Sequence, residues 1–206
     1  MHFGGLDLSS TTDITAWCVG EKLSDGYRAD FRFYIPEDRA RLLEDRDRVP
    51  YSQWVREGYV TATPGKVIDY SFVEADIIKD AQTFDLVRIG YDPWNAEATR
   101  QRLEGEGLEC IALRQGYATL TAPCKELERC VINATLDHGN NPVMDWMVSN
   151  VEVQTDVNGN IRPVRPEHNS GAKKIDGVMA LVFMIAVAMT SNDGPSIYET
   201  PGSLAI

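Results

Sequence analysis

"GGLDLSSTTDITAW", residues 4–17, reads as a β-strand with an acid where a strand should not carry one. Asp7 stands within the run, the hydroxyl residues Ser9, Ser10, Thr11 and Thr12 follow it, and a second acid, Asp13, comes next. A strand covered on both faces reads as an unbroken apolar run. A carboxylate inside one carries a large desolvation cost unless a partner or a metal ion compensates it. Asp7 therefore lies either at an exposed strand edge or in a site that holds something.

The surrounding sequence places that strand first of three. Residues 3–10, 13–20 and 27–35 read as consecutive β-runs, with Ser24-Asp25-Gly26 as a hairpin turn between the last two. In 37–48, Glu37 with Arg41 and Glu44 with Arg48 sit four apart, the pattern of a solvated helical arm. Residues 59–63 form a short strand closed by Pro64-Gly65. From Asp69 the pattern alternates: helix 70–83, strand 86–91, helix 95–106, strand 108–113 and helix 121–136. Such alternation predicts parallel strands with crossover helices. A hairpin over 150–165 turns at Asn158-Gly159-Asn160, and a last helix spans 172–190. The expected architecture is an α/β domain over 1–190, with a loose tail over 191–206 that carries two prolines and two glycines. An antiparallel three-strand meander plus parallel strands, in a mixed sheet with helices on both faces, is the element order of a ribonuclease H-like domain.

Bulk properties narrow the function. The 206 residues suit one sizeable domain, and 43% hydrophobic with 25% charged residues is ordinary for a globular protein. A net charge of −11 argues against binding nucleic acid through bulk electrostatics, though not against a nuclease whose acids are neutralised by metals. It leaves only a local basic surface for DNA, for which Arg114, Lys125, Lys173 and Lys174 are the candidates. Cys18, Cys110, Cys124 and Cys130 form no C-x-x-C pair and read as buried thiols of a reducing compartment. The longest apolar run, 178–189, falls short of the about 20 residues that cross a bilayer, so a soluble protein with a buried helix is expected and no membrane partner.

Three acids occupy chemically suggestive places. Asp7 is within the first strand, Asp92 directly follows "LVRIGY" (86–91), and Asp176 enters the most apolar helix in "KKIDGVMALVFMIAVAM" (173–189). Sites collect at the carboxyl ends of parallel strands. Each acid has a structural alternative: an Asx turn at Asp92-Pro93, a dipole partner in the first helical turn for Asp176, an edge position for Asp7. Together they fit a hard divalent cation, which takes oxygen ligands from separate elements.

Several blocks resemble the C-terminal nuclease domain of the tailed-phage terminase large subunit. They are "GLDLSSTTDITAW" (5–17), "DRVPYSQWVREGYVTATPGKVIDY" (47–70), "YDPWNAEATRQRLEGEG" (91–107), "RQGYATLTAPCKELERCV" (114–131), "NPVMDWMVSNV" (141–151) and "KKIDGVMALVFMIA" (173–186). The resemblance runs in order over roughly residues 4–190. It implies a ribonuclease H-like fold and a metal-dependent endonuclease that cuts concatemeric viral DNA during packaging. The family's three acids fall on Asp7, Asp92 and Asp176, which would hold one or two Mg²⁺ or Mn²⁺ ions. Asp13 matches a further acid, either a ligand or a support. Lys174 takes the place of a basic residue that orients a scissile phosphate or supplies a proton. The implied partners are double-stranded DNA, the terminase small subunit, the portal and the packaging ATPase domain, in the host bacterial cytoplasm. This chain has no G-x-x-x-x-G-K-S/T loop, so no ATP hydrolysis is expected from it.

Other residues take blander readings. Trp54, Trp94 and Trp146 are expected in the core, Asn150 in a turn, His138 and His168 in exposed loops. A competing reading from another class is a catalytically inert ribonuclease H-like module that docks on packaging-motor partners. An actin-like ATPase reading of "DLSSTTD" is set aside, because that fold needs two such domains and a second phosphate loop.

Overall fold

In the computed structural model, which describes residues 1–9, 13–166 and 172–191, the expected meander is present. β1 (His2–Asp7), β2 (Thr15–Leu23) and β3 (Gly26–Pro36) pair antiparallel in succession. Helices α1 (Ala40–Asp47) and α2 (Tyr51–Glu57) lead to β4 (Val60–Thr63), which lies parallel to β3. Then come α3 (Tyr70–Thr83), β5 (Leu86–Tyr91), α4 (Glu97–Gly105) and β6 (Glu109–Ala112). β5 is parallel to both β1 and β6, giving the order β4-β3-β2-β1-β5-β6. The chain continues through α5 (Tyr117–Ile132), a two-residue β7 (Leu136–Asp137) on β3, and α6 (Pro142–Ser149). A separate hairpin, β8 (Glu152–Thr155) with β9 (Ile161–Val164), precedes the final α7 (Asp176–Thr190).

Period-two alternation decides what each sheet face meets. On β1, Phe3, Gly5 and Asp7 point to one side and Leu6 to the other. Phe3 joins the core under α1, α2, α6 and α7, while Leu6 joins Trp17, Ile89 and Tyr91 under α3 and α4. α7 is apolar all round and is buried nearly throughout, as such a helix must be. It crosses β1, β2 and β5, with α5 and α6 against its outer side. Gly5 pairs with Gly90 across β1 and β5. A Cβ on Gly5 would stand 1.8 Å from the Ala180 carbonyl oxygen, and one on Gly90 2.7 Å from that of Phe183. The paired glycines form the floor on which α7 lies. Asp7 follows Gly5 by two residues on the same face, so the helix begins beside it.

Several details depart from expectation. α7 starts at Asp176 rather than 172, because the Asn150 side chain holds the Lys174 carbonyl and the segment before the helix stays irregular. α5 starts at Tyr117 and carries Pro123 inside it. The arm is not wholly solvated, since Leu43 and Asp47 are buried. The sequence pattern does not announce α2 or α6, although the Asn141 side chain caps α6 and Pro142 occupies its first turn. The tail beyond Ser191, His168, and Ser10, Thr11 and Thr12 lie outside the described residues. Among the described residues, no helix is long and apolar enough to cross a membrane.

Candidate functional site

Asp7 closes β1, Asp92 follows β5 directly, and Asp176 opens α7. All three, with Asp13, line one cleft of about 590 Å³, which is bordered by Arg162 of β9 and by Arg165, the residue just after that strand. Asp7 is 9% and Asp176 3% exposed, whereas Asp92 is half-buried.

The loop after β1 is held by its hydroxyls. Ser9 donates its backbone N–H to Thr15 Oγ1 (3.0 Å) and its own hydroxyl to the Asp13 carbonyl (3.0 Å), while Tyr70 OH donates to the Ser9 carbonyl. The Asp13 carboxylate faces the cleft but is already engaged. It accepts from Ile14 N (3.0 Å), Arg46 Nη2 (3.1 Å) and the buried Lys174 Nζ. Arg46 also pairs with Asp47, whose second oxygen accepts from Tyr51 OH at 2.9 Å. Asp92 Oδ1 accepts from Trp94 N (3.0 Å), so the Asx turn is real and leaves Oδ2 for other work. Asp176 Oδ1 accepts from Arg165 Nη2 at 3.2 Å. Its Oδ2 is buried and has no hydrogen-bond partner among the described residues.

Other buried acids show how this chain satisfies a structural carboxylate. Asp80 accepts from Trp17 Nε1 (2.9 Å) and pairs with Arg32. Glu74 accepts from Thr99 Oγ1 (2.9 Å) and pairs with Arg102 (3.1 Å). Asp176 is as deeply buried and keeps a bare oxygen. A buried unsatisfied acceptor costs about 1–3 kcal/mol, more when charged. That cost sets Asp176 apart from Asp80 and Glu74.

Electrostatics point the same way. Burial, then the neighbouring Asp176 charge, raise the Asp7 carboxyl well above the usual carboxylate range; Arg165 opposes this, and Asp92 and Asp13 add to it. Burial also raises Asp176, against the opposing pull of Arg165. Asp13 is lowered: burial alone would raise it, but Lys174 and Arg46 outweigh that. For Asp7 the sign follows by linkage. The folded state holds that proton to higher pH than the unfolded chain, so its stabilising contribution is complete below the ordinary carboxylate pKa and is lost as pH rises through the raised folded value. We therefore expect the melting temperature in EDTA to fall as pH rises above the ordinary carboxylate range, and Asp7→Asn to flatten that fall. Parallel profiles for the two proteins would assign the pH dependence elsewhere.

An all-carboxylate set without His or Cys suits a hard cation bound through oxygen. Among the described residues, no three His, Cys, Asp or Glu side chains are gathered to hold an ion as they stand. Their carboxylates are engaged elsewhere: Asp13 with two cations, Asp176 with Arg165, and Asp92 with a backbone amide.

The basic residues are distributed differently from expectation. Lys174 is 1% exposed and paired with Asp13, so its ammonium is not an open DNA surface. Arg114 and Lys125 are exposed and Lys173 half-exposed, and none of them lines the cleft. The cleft cations are Arg162 and Arg165, which sequence reasoning passed over. The available signal was "RPVRP" (162–166), two Arg-Pro dipeptides shortly ahead of the third acid. Arg162 is fixed by Gln154 Oε1 (2.8 Å) and the Gln115 carbonyl (3.3 Å), with its guanidinium 4.9 Å from the centre of the Tyr117 ring. Two further corrections concern Trp94 and Asn150. Trp94 is 72% exposed at the cleft edge, not core, because the Asx turn lifts it away from the sheet. Asn150 is buried, and its Nδ2 donates to the Lys174 carbonyl (3.0 Å), so it does more than turn the chain.

Comparisons with known proteins point to one family. A family model for the terminase large subunit endonuclease domain matches residues 2–192. The terminase large subunit of Enterobacteria phage HK97 is 32% identical over 191 residues, 90% of this chain and 37% of that protein. Protein YmfN of Escherichia coli K12 is 29% identical over 162 residues, 77% of this chain and 35% of that protein. This chain thus spans little more than a third of the length of either relative. The crystal structure of the HK97 large terminase is similar with a TM-score of 0.81 and 31% identity, over 91% of this chain and 39% of that one. The large terminase nuclease of thermophilic phage G20c, solved with bound magnesium, shares the fold with a TM-score of 0.58 at 11% identity, over 90% of this chain and 80% of that one. The mixed sheet is the ribonuclease H-like one expected from the element order, and the chain belongs to the family of terminase large subunit endonuclease domains.

Proposed function

We propose that this chain is a divalent-metal-dependent DNA endonuclease that cuts concatemeric viral DNA during genome packaging. The observation that carries the reading is one cleft lined by Asp7, Asp92 and Asp176 from three separate elements, with a buried Asp176 oxygen that no other described residue satisfies. These three residues would hold one or two Mg²⁺ or Mn²⁺ ions; the G20c nuclease, solved with magnesium, has the same fold. When bound, such ions supply a water nucleophile at neutral pH and charge stabilisation for the leaving oxygen of a phosphodiester.

The rest of the chemistry belongs to the chain. Asp7 and Asp176 hold ligand oxygens at fixed positions, because a strand end and a helix start are rigid supports. Lys174 and Arg46 keep Asp13 ionised and oriented, which makes Asp13 a support rather than a free ligand. Asn150 fixes the Lys174 backbone and so the entry of α7. Substrate DNA would lie along the cleft, with Arg162 facing its phosphates and the exposed Arg114 reaching them from outside the cleft. The terminase small subunit, the portal and a packaging ATPase domain are the proposed partners, in the host bacterial cytoplasm.

The test is digestion of supercoiled plasmid with Mn²⁺, with Mg²⁺ and with EDTA. Nicking in either metal and none in EDTA is expected; nicking that persists in excess EDTA, absent from a triple-alanine control, would overturn the reading. DNA affinity should be weak and steeply salt-dependent, with a slope of about −0.9 per phosphate neutralised. The double variant Arg114→Ala/Arg162→Ala should flatten that slope by about 1.8 if each side chain meets one phosphate. An unchanged slope would move the DNA path off this side of the cleft.

A further inference from the structure

Asp176 has one oxygen on a guanidinium and, among the described residues, one on nothing. Arg165 Nη2 lies 3.2 Å from Oδ1, while Oδ2 is buried and unpartnered. The two partners differ in solvent access, since the Asp176 side chain is 5% exposed and that of Arg165 37%. The acid is fixed in the fold and the cation has a way out. Other nearby cations are committed elsewhere: Lys174 and Arg46 to Asp13, Arg162 to Gln154 and the Gln115 carbonyl. Arg165 is the cation hydrogen-bonded to Asp176, and its field opposes the rise of both carboxyls, while Lys174, engaged by Asp13, adds a weaker pull on Asp176 alone.

We propose that Arg165 is a resident counter-cation that competes with the divalent ion for Asp176, so that metal entry and release of the Arg165 contact are one coupled step. The inference rests on the metal-nuclease reading above and adds to it a determinant of metal affinity. A guanidinium at hydrogen-bond distance from Oδ1 and a divalent ion on the same buried carboxylate would be like charges a few ångströms apart, an arrangement Coulomb repulsion disfavours. One must yield. Because coupling free energies are reciprocal, whatever the ion loses to Arg165 the Arg165 contact loses to the ion. Arg165 follows β9 directly, so a released guanidinium stays tethered at the cleft.

The experiment titrates Mn²⁺ into the DNA-free protein by calorimetry, for the unaltered chain, Arg165→Gln and Arg165→Lys. Because the guanidinium is partly exposed, solvent screens its pull on the buried carboxylate, so the Gln variant should bind Mn²⁺ about three- to tenfold more tightly, with Lys between. Asp176→Asn should weaken binding in every background. A second readout uses the unaltered chain: saturating Mg²⁺ should free rotation about the Arg165 guanidinium, followed by ¹⁵N side-chain NMR. It decides the matter even if the Gln variant does not fold. Equal Mn²⁺ affinity with and without Arg165, or a guanidinium signal indifferent to Mg²⁺, would overturn the competition while leaving the metal reading intact. Absence of any Mn²⁺ or Mg²⁺ binding would overturn both.

Discussion

Replacing Asp7, Asp92 or Asp176 with Asn should reduce plasmid nicking by on the order of a thousandfold or more in each case, because charge stabilisation of several kcal/mol is lost. Stability should respond in three different ways. Asp7 is buried, and its charge is opposed first by burial and then by Asp176, so Asn relieves the metal-free protein and raises its melting temperature in EDTA at neutral pH. Asp92 is half-exposed, and it accepts a hydrogen bond from Trp94 N that an Asn carbonyl can also accept; its stability should barely move. Asp176→Asn gives up the charge on the Arg165 pair and at the same time relieves Asp7, two effects of opposite sign and similar kind. Function and stability then diverge at Asp7, as they do where a site is built at the expense of the fold. Melting in EDTA and Mn²⁺ nicking on the same preparations check this. An Asp92→Asn protein that nicks at the unaltered rate would reduce that residue to its Asx turn and sink the three-acid site.

How far the sequence reached depended on the kind of signal. The meander, the βα alternation and the position of α7 rest on hydrophobic period and turn chemistry, which are local and strong. Asp7 was legible because an acid in a strand has no cheap explanation, and Asp92 because a strand end followed by proline is a local pattern. Depth of burial was not legible. Lys174 and Asp47 read as surface charges, yet both are buried, Lys174 against Asp13 from a distant loop and Asp47 between Arg46 and Tyr51. Arg162 and Arg165 were missed for another reason: the hairpin that brings them over the cleft has no hydrophobic period of its own. Its strands are exposed or half-exposed throughout. Trp94 failed in the opposite direction: an aromatic residue beside apolar neighbours reads as core, and only the turn geometry at Asp92 shows that it is held outward.

Gly5→Ala should be among the most damaging conservative changes in this chain, costing about 3 kcal/mol or more and lowering the melting temperature by roughly 6–12 °C. The reason is what the methyl group would meet. Its nearest neighbours would be the Ala180 carbonyl oxygen at 1.8 Å and Met184 N at 2.6 Å, both backbone atoms of a buried helix with no rotamer to change. Relief therefore requires lifting α7 off β1. That movement opens the core on the face carrying Phe3, Cys18 and Phe33, and it carries Asp176 away from Asp7, because the helix that fills the core also positions the acid. Nicking by Gly5→Ala should consequently fall below what its folded fraction predicts, even at temperatures where melting shows it folded. Gly105→Ala is the control. Gly105 lies in α4, its backbone is not left-handed, and an added methyl there would meet nothing within 4 Å. Alanine at that position should stabilise by up to about 1 kcal/mol through helix propensity and leave nicking unchanged. A Gly5→Ala protein that melts within a degree or two of the unaltered chain, with normal nicking, would show that α7 does not depend on the glycine floor for its seat.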